Sequence, residues 1–310
     1  MSHAHPHVHV GPRPTRASQR RALAIALGAN GVFMVVEVVG GLAFGSLALL
    51  ADAGHMASDV AALAIALTAQ RLMERPASAR HTYGLQRVEV LGALANALLL
   101  VAVAAWVVFE AVGRLDDPAE VEGGGLLIVA AVGLAVNVVS AIMLARRAGA
   151  SLNMRGATLH MMLDAAGSVA AVLAGIAVLV WDEPRADPLA SLAIAALILW
   201  SGWVLLRQTV HVLLEGTPRG MDSEEVERAI SRDGAVEDVH HLHTWNIASD
   251  VPALSAHVVL KGEVTLHEAQ EHGDRIKGML ATTFGIEHAT LELECHSCEP
   301  EATGITSPEA

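Results

Sequence analysis

The chain alternates between two textures. Apolar runs of about 20 residues or more, nearly free of charge, are separated by short polar breaks as far as "HVLLEGTPRGM", after which the apolar runs shorten and their period changes. A helix rises 1.5 Å per residue and needs about 20 apolar residues to cross roughly 30 Å of hydrocarbon. Six spans are therefore expected, at about 22–44, 47–69, 88–112, 123–145, 157–181 and 188–210. The breaks are short, so successive helices should run antiparallel. The opening "MSHAHPHVHVGPRPTRASQR" is polar and lacks an apolar core, which leaves the first span as the expected insertion signal.

The last third follows other periods. "DSEEVERAISRD" (222–233) begins with an Asp/Ser cap and an acidic first turn and continues as an amphipathic helix. "AVEDVHHLHTWNIA" and "ALSAHVVLKG" alternate as strands on either side of "SDVP", "TLHEAQEHGDRIKGMLATTF" is helical, and "IEHATLELEC" alternates again. The order αββαβ over about 75 residues suits a small two-layer α+β domain. The expected organisation is a flexible His-rich arm (1–21), an all-α six-helix transmembrane domain (22–210), a linker (211–221), the small α+β domain (222–298) and a disordered tail (299–310).

Composition supports a membrane protein. Of 310 residues, 53% are hydrophobic and only 17% charged, a balance a soluble α/β enzyme reaches only through many shorter buried segments. Arginine placement sets the orientation. Arg13, Arg16, Arg20 and Arg21 precede the first span, Arg71, Arg75, Arg80 and Arg87 follow the second, Arg146, Arg147 and Arg155 follow the fourth, and Arg207 and Arg219 close the sixth. The other side carries only Arg114 and Arg185, set among acidic residues, so both termini are expected in the cytoplasm.

Within this apolar frame, "ALLADAGHMASDVAAL" places His55 and Asp59 four residues apart, and "GATLHMMLDAAGSV" repeats the spacing with His160 and Asp164. Positions i and i+4 lie on one helix face, so each pair makes a two-toothed edge. Two antiparallel helices can bring these edges together near the membrane middle as two imidazole nitrogens and two carboxylates. Zn²⁺ accepts such a tetrahedral N2O2 set, whereas Mg²⁺ and Mn²⁺ prefer more oxygen ligands. Co²⁺, Cd²⁺ and Ni²⁺ are compatible with the same donors. Ionisable groups inside a membrane are costly and usually functional, and a pair that recurs is harder to ascribe to structural contacts between helices. Asp52 shares the face of His55 but lies nearer the outside. It reads as an interfacial residue or as an auxiliary carboxylate on the entry or exit path. Glu37 reads as a partner for a neighbouring helix or as an auxiliary proton or ion carrier. Asn30, Asn96 and Asn137 read as interhelical hydrogen-bond donors.

"GSLALLADAGHMASD", "RHTYGLQRVEVLGALANALLL", "SLNMRGATLHMMLDAAGSV" and "VHHLHTWNI" resemble, in order and over nearly the whole chain, the segments of the cation diffusion facilitators, especially their zinc-transporting bacterial branch. The resemblance implies a homodimeric six-helix proton antiporter that exports Zn²⁺ across the bacterial cytoplasmic (inner) membrane, with Cd²⁺ and Co²⁺ as further substrates. It implies a cytoplasmic domain of ferredoxin-like, metallochaperone-like fold, and a transport site of His55, Asp59, His160 and Asp164. Its partners would be a second copy of the chain, the lipid bilayer and metal ions, with no nucleic acid. Neutral imidazole and carboxylate bind Zn²⁺ and their protonated forms do not, so protons entering such a site can displace outgoing metal.

The resemblance also implies regulatory metal ligands in the cytoplasmic domain. His240 and His257 resemble two histidine ligands of relatives, and Glu292 and Glu294 stand where some relatives carry histidine and aspartate. Cys295 and Cys298 form a CxxC that reads as metal or thiol chemistry in a reducing compartment, needing histidines to complete a zinc site. His3, His5, His7 and His9 alternate on the arm and read as weak local zinc capture. Arg87 and Glu215 resemble a charge pair between helices. Between spans two and three, "RPASARHTYGLQR" keeps only His81 where some relatives hold a metal, so none is expected there. An intramembrane zinc hydrolase needs an open coordination position and a general base. Four protein ligands leave no such position, and no HExxH supplies the base. A membrane metal sensor would need an output module, and none is legible.

Overall fold

A computed structural model describes residues 16–148, 152–249 and 251–296. Six long helices come first: α1 (Arg16–Phe44), α2 (Leu47–Met73), α3 (Val88–Asp116), α4 (Gly123–Ala148), α5 (Leu152–Trp181) and α6 (Ala186–Leu213). The helices α2, α3 and α4 begin with the expected spans and run three or four residues past them, α1 and α5 begin five or six residues early and end with them, and α6 overshoots at both ends. Among the described residues five carry stretches long and apolar enough to cross a membrane: Leu47–Ile65, Val88–Asp116, Gly123–Arg146, Thr158–Trp181 and Ala186–Leu213. The first helix, α1, contains the expected span 22–44, and among its described residues the apolar stretch is Gly28–Phe44.

The chain divides into two compact units. One gathers the described residues up to Leu63 together with Asn96–Val204, and the other gathers Ala64–Ala95 with the residues from Leu205 onward.

In the first unit the core is built mainly from small residues, with Ala48 and Ala51 of α2, Ala104 of α3, Ala130 of α4, Ala171 and Ala174 of α5 and Ala195 of α6 packed around Leu49, Leu126 and Ile198. Small side chains let helices approach closely where water supplies no driving force, so dispersion between the helices replaces the hydrophobic effect. The α4–α5 contact shows how closely. A Cβ at Gly175 would stand 2.9 Å from the backbone of Leu127. The outer faces are apolar too, with Phe109, Leu173, Trp200 and Trp203 exposed, as suits helices whose surroundings are hydrocarbon. The few polar side chains inside join helices in pairs. Asn30 Nδ2 donates to Met161 Sδ (3.0 Å), Ser58 Oγ to Asn96 Oδ1 (3.0 Å) and Asn137 Nδ2 to Ser168 Oγ (3.2 Å). Asn96 is thus an acceptor in this pairing rather than the donor expected. Asp187, in the first turn of α6, is fully buried and serves as a cap for α2. It accepts from Ser46 Oγ (2.6 Å), Leu47 N (2.7 Å) and Ala48 N (3.3 Å). These are N–H groups that the start of a helix leaves without intrahelical partners.

In the second unit the order is α7 (Ser223–Ser231), β1 (Val236–Ala248), β2 (Val251–Leu260), α8 (Leu266–Phe284) and β3 (His288–Glu294). Asp222 caps α7 by accepting from Glu224 N at 3.0 Å. Thr265 and Glu268 make a reciprocal capping box at the start of α8, and Gly285, at φ 69°, ends that helix in the left-handed conformation. The sheet order is β1–β2–β3, antiparallel between β1 and β2 and parallel between β2 and β3. A parallel pair needs a crossover, and α8 supplies it. Val226 and Ile230 of α7, Leu254 and Val258 of β2, and Ile276 and Leu280 of α8 close the core.

Candidate metal centre

The two expected edges face each other. α2 presents His55 and Asp59, α5 presents His160 and Asp164, and the four ligand atoms lie within 4.8 Å of one another. The hydrogen bonds cross between the helices: His55 Nε2 to Asp164 Oδ1 at 3.1 Å, and His160 Nε2 to Asp59 Oδ2 at 3.1 Å. Within each helix the i,i+4 partners stand farther apart, at 3.9 Å for His55–Asp59 and 3.8 Å for His160–Asp164. A tetrahedral zinc with ligands at about 2.0–2.1 Å has ligand–ligand edges of about 3.4 Å. The four distances bracket that value. Burial is graded across the set, from the nearly inaccessible Asp164 side chain (3%) to that of His160 (39%). His55, His160, Asp164 and Asp52 line one cavity of about 460 Å³, whose remaining wall is largely apolar. His55 Nδ1 is buried without a hydrogen-bond partner among the described residues.

Asp52 is buried among the helices. It is 3% exposed, and Ser168 Oγ donates to its Oδ2 at 3.4 Å. Glu37 of α1 is likewise buried, 1% exposed. Sequence reasoning missed Ser168, which stands one turn beyond Asp164 and 3.2 Å from its carbonyl oxygen. A serine at i+4 from a membrane carboxylate was the available signal.

A second cluster lies on the β-sheet. His240 and His257 are register partners across β1 and β2, and Glu292 is the partner of His257 on β3. The residue that joins the two histidines within 4.8 Å is Glu294. His257 Nδ1 is 2.6 Å from Glu294 Oε1, while His257 Nε2 is 3.4 Å from Glu292 Oε2. The Glu294 side chain is 7% exposed and that of Glu292 is 65% exposed, so the inner position on β3, not the outer one, completes the cluster. His241 adds a third ring. It sits in a break of the β1 register at φ 50°, with its ring centroid 5.3 Å from that of His240 and 5.1 Å from that of His257.

The other expected positions are dispersed. Arg87 Nη2 donates to Glu215 Oε1 at 3.0 Å, with both side chains largely solvated. His81 closes a turn with Ser78, and no metal-like cluster includes it among the described residues. Cys295 is exposed, its Sγ 3.3 Å from His296 Nδ1. Cys298 and the arm residues His3, His5, His7 and His9 lie outside the described residues.

Comparison with known proteins gives the class. Residues 23–214 match the family model described as the cation efflux transmembrane domain, and residues 218–296 match the cation efflux protein cytoplasmic domain. The chain belongs to the cation efflux family and is a multi-pass membrane transporter of that family. It is 39% identical to the zinc transporter ZitB of Escherichia coli, over 95% of this chain and 94% of that protein. It is 38% identical to the metal cation efflux system protein CzcD of Cupriavidus metallidurans, over 96% and 92%. It is 36% identical to the cadmium, cobalt and zinc/H(+)-K(+) antiporter of Bacillus velezensis, over 94% and 91%.

Proposed function

We propose that the chain is a homodimeric Zn²⁺/H⁺ antiporter that exports zinc from the bacterial cytoplasm by alternating access. In this reading six helices span the inner membrane, both termini are cytoplasmic, and the cytoplasmic domain is ferredoxin-like. Zn²⁺ is the principal cargo, and Cd²⁺ and Co²⁺ are carried as well, in keeping with the names of the relatives. The observation that carries the reading is the crossed pairing of His55 with Asp164 and of His160 with Asp59. Nε2 of each histidine faces a carboxylate of the other helix and the other ligands. When both ring nitrogens carry hydrogen, a metal ion that takes Nε2 releases that hydrogen as H⁺, so metal and protons compete for the same atoms. A cation entering between α2 and α5 replaces two hydrogen bonds by four coordination bonds. Protons arriving from the opposite face restore the crossed pairs and expel it.

His240, His257 and Glu294 offer two nitrogens and an oxygen that fit a regulatory zinc, with its fourth ligand a water or a further side chain. Cys295 and Cys298, with histidines of the arm, are proposed as a further thiolate site. Two observations favour transport over hydrolysis at the tetrad: all four donors come from the protein, and most of the cavity wall is apolar.

The test is zinc uptake into inverted vesicles holding the reconstituted chain. Uptake is expected with an acidic lumen and should stop when an ionophore collapses the pH gradient. Undiminished uptake without the gradient removes the antiport. Competition with Cd²⁺, Co²⁺, Ni²⁺ and Mn²⁺ ranks the cargo, with Mn²⁺ expected to compete least.

A further inference from the structure

Strand β1 carries one extra residue beside the sheet cluster. His240 pairs with His257 and His243 with Ser255, so His241 and Leu242 of β1 stand opposite Ala256 alone. This is a β-bulge, a device that re-aims side chains. Val239 and Leu242, three residues apart, both pack into the core of the domain. His240 and His241 between them stand side by side, ring centroids 5.3 Å apart, where plain alternation would send them to opposite faces. The backbone there is one a side chain seldom adopts. His241 has φ 50°, in the left-handed region that glycine enters without a steric penalty, and bulges of this shape usually carry glycine at that position. The His241 side chain makes no hydrogen bond or ion pair among the described residues, and it rests against the rings of His240 and His257. The neighbouring donors are sorted by direction. His240 Nε2 and His257 Nδ1 face the two carboxylate oxygens of Glu294, at 3.5 Å and 2.6 Å. The opposite nitrogens face Asp238 Oδ2 (3.3 Å) and Glu292 Oε2 (3.4 Å), both on largely solvated side chains. Both His240 nitrogens are buried and make no hydrogen bond among the described residues, which leaves Nε2 available to a metal. His240, His257 and Glu294 thus supply three inward donors, and tetrahedral zinc takes four.

We propose that His241 is the fourth ligand of the sheet cluster, and that the left-handed bulge is kept because it turns this imidazole toward His240 and His257. This rests on the regulatory-zinc reading of that cluster given above. The ligand atoms of His240, His257 and Glu294 lie within 4.8 Å of one another. The His241 ring, 5.1 Å from that of His257 between centroids, joins them by rotation about its own side-chain bonds. Three imidazole nitrogens and one carboxylate oxygen suit Zn²⁺ and Co²⁺ better than the hard, oxygen-preferring ions. Asp238 and Glu292 remain outside the set, facing the far nitrogens of two ligating rings. Strain at one residue of β1 is thereby retained for the sake of binding, which is where such outliers concentrate in proteins.

The experiment uses the full chain in detergent with Asp59→Ala, which removes the transport tetrad. Equilibrium dialysis reads Zn²⁺ affinity, and the visible bands of bound Co²⁺ read its coordination. The sheet site is the part of both signals that a further His257→Ala abolishes. His241→Gly accepts the left-handed backbone without strain and removes the imidazole. It is expected to weaken Zn²⁺ binding at the sheet by about tenfold or more, the least that losing even an outer partner of a ligand costs, and to change the Co²⁺ bands as water replaces a nitrogen. Amide exchange along β1 of the metal-free chain should be as slow as in the parent, or slower. His241→Asn, which also tolerates that backbone, should lose a similar factor in affinity. Unchanged affinity and bands in both variants overturn His241 as a ligand and leave the regulatory site standing. Weaker binding together with faster exchange in β1 of both variants assigns the histidine to the fold of the bulge and overturns the proposal as well. Metal binding that His257→Ala does not reduce overturns the regulatory reading itself.

Discussion

The two histidine–carboxylate clusters use similar donors but assemble them by different rules. In the membrane tetrad, each helix supplies its residues at i,i+4 from one local segment, and only the meeting of α2 with α5 is long-range. On the sheet, His240, His257 and Glu294 come from three strands, and every contact depends on register. A helix fixes which side chains share a face through its own period. A strand fixes only the alternation, and pairing decides the rest. The tetrad tolerates end-on shifts of a boundary, whereas a one-residue slip in β3 would empty the other cluster of Glu294.

This contrast is broken most directly at the tetrad. Asp59→Ala should abolish zinc flux, a loss beyond the roughly 10–100-fold that removing a mere outer partner of a metal ligand costs. The variant should remain folded and membrane-inserted, because Asp59 is partly solvated (31%) and its removal leaves the alanine-rich core intact. Vesicle uptake paired with size-exclusion chromatography checks both statements, and retained flux would reassign the site. On the sheet the effect is smaller and more selective. In an Asp59→Ala background, Glu294→Ala should weaken residual zinc binding by about tenfold or more. Glu292→Ala, at the solvated position, should change it by less than about fivefold. Equilibrium dialysis separates the two, and the reverse order would return the site to Glu292. The smallest expected effect concerns the scaffold of that sheet. The Thr265 backbone N–H and hydroxyl donate to Glu268 and hold its carboxyl below the usual carboxylate range. Such a group stabilises the fold above its unfolded-state pKa, and the contribution is lost as pH falls through the lower folded-state value. Glu268→Gln should therefore lower the thermal midpoint at neutral pH and do so less at acid pH. A deficit independent of pH would assign the effect to cap geometry instead of charge.

How much was legible in the sequence follows the same division. The helices, their order and the residues of the tetrad could be read because apolar period and the HxxxD spacing are local. The αββαβ order was legible for the same reason, and the chain shows those elements in that order. Crossed pairing was not legible, since spacing alone does not say whether His55 bonds to Asp59 or to Asp164. Asp52 reads from α2 alone as an interfacial or an auxiliary residue, and its burial is not legible there, because Ser168 of α5 reaches it only in the folded chain. Glu292 and Glu294 share a face at i,i+2, so alternation could not choose between them. His241 should by alternation point away from His240, and the left-handed residue in β1 overrides that rule.

The cap that Asp187 places on α2 has a mechanical consequence. It fastens the first turn of α2 to α6 at one end, as a pin fastens a rod. His55 lies eight residues beyond Leu47, a lever of about 12 Å at 1.5 Å per residue. Tilting that lever by about 10° carries the imidazole roughly 2 Å, the length of a zinc–nitrogen bond. If the tetrad holds the cargo as proposed, a rocking motion too small to unpack the alanine-lined core would be enough to make or break coordination. Its gearing would then be set where α2 starts, a good two turns away from His55.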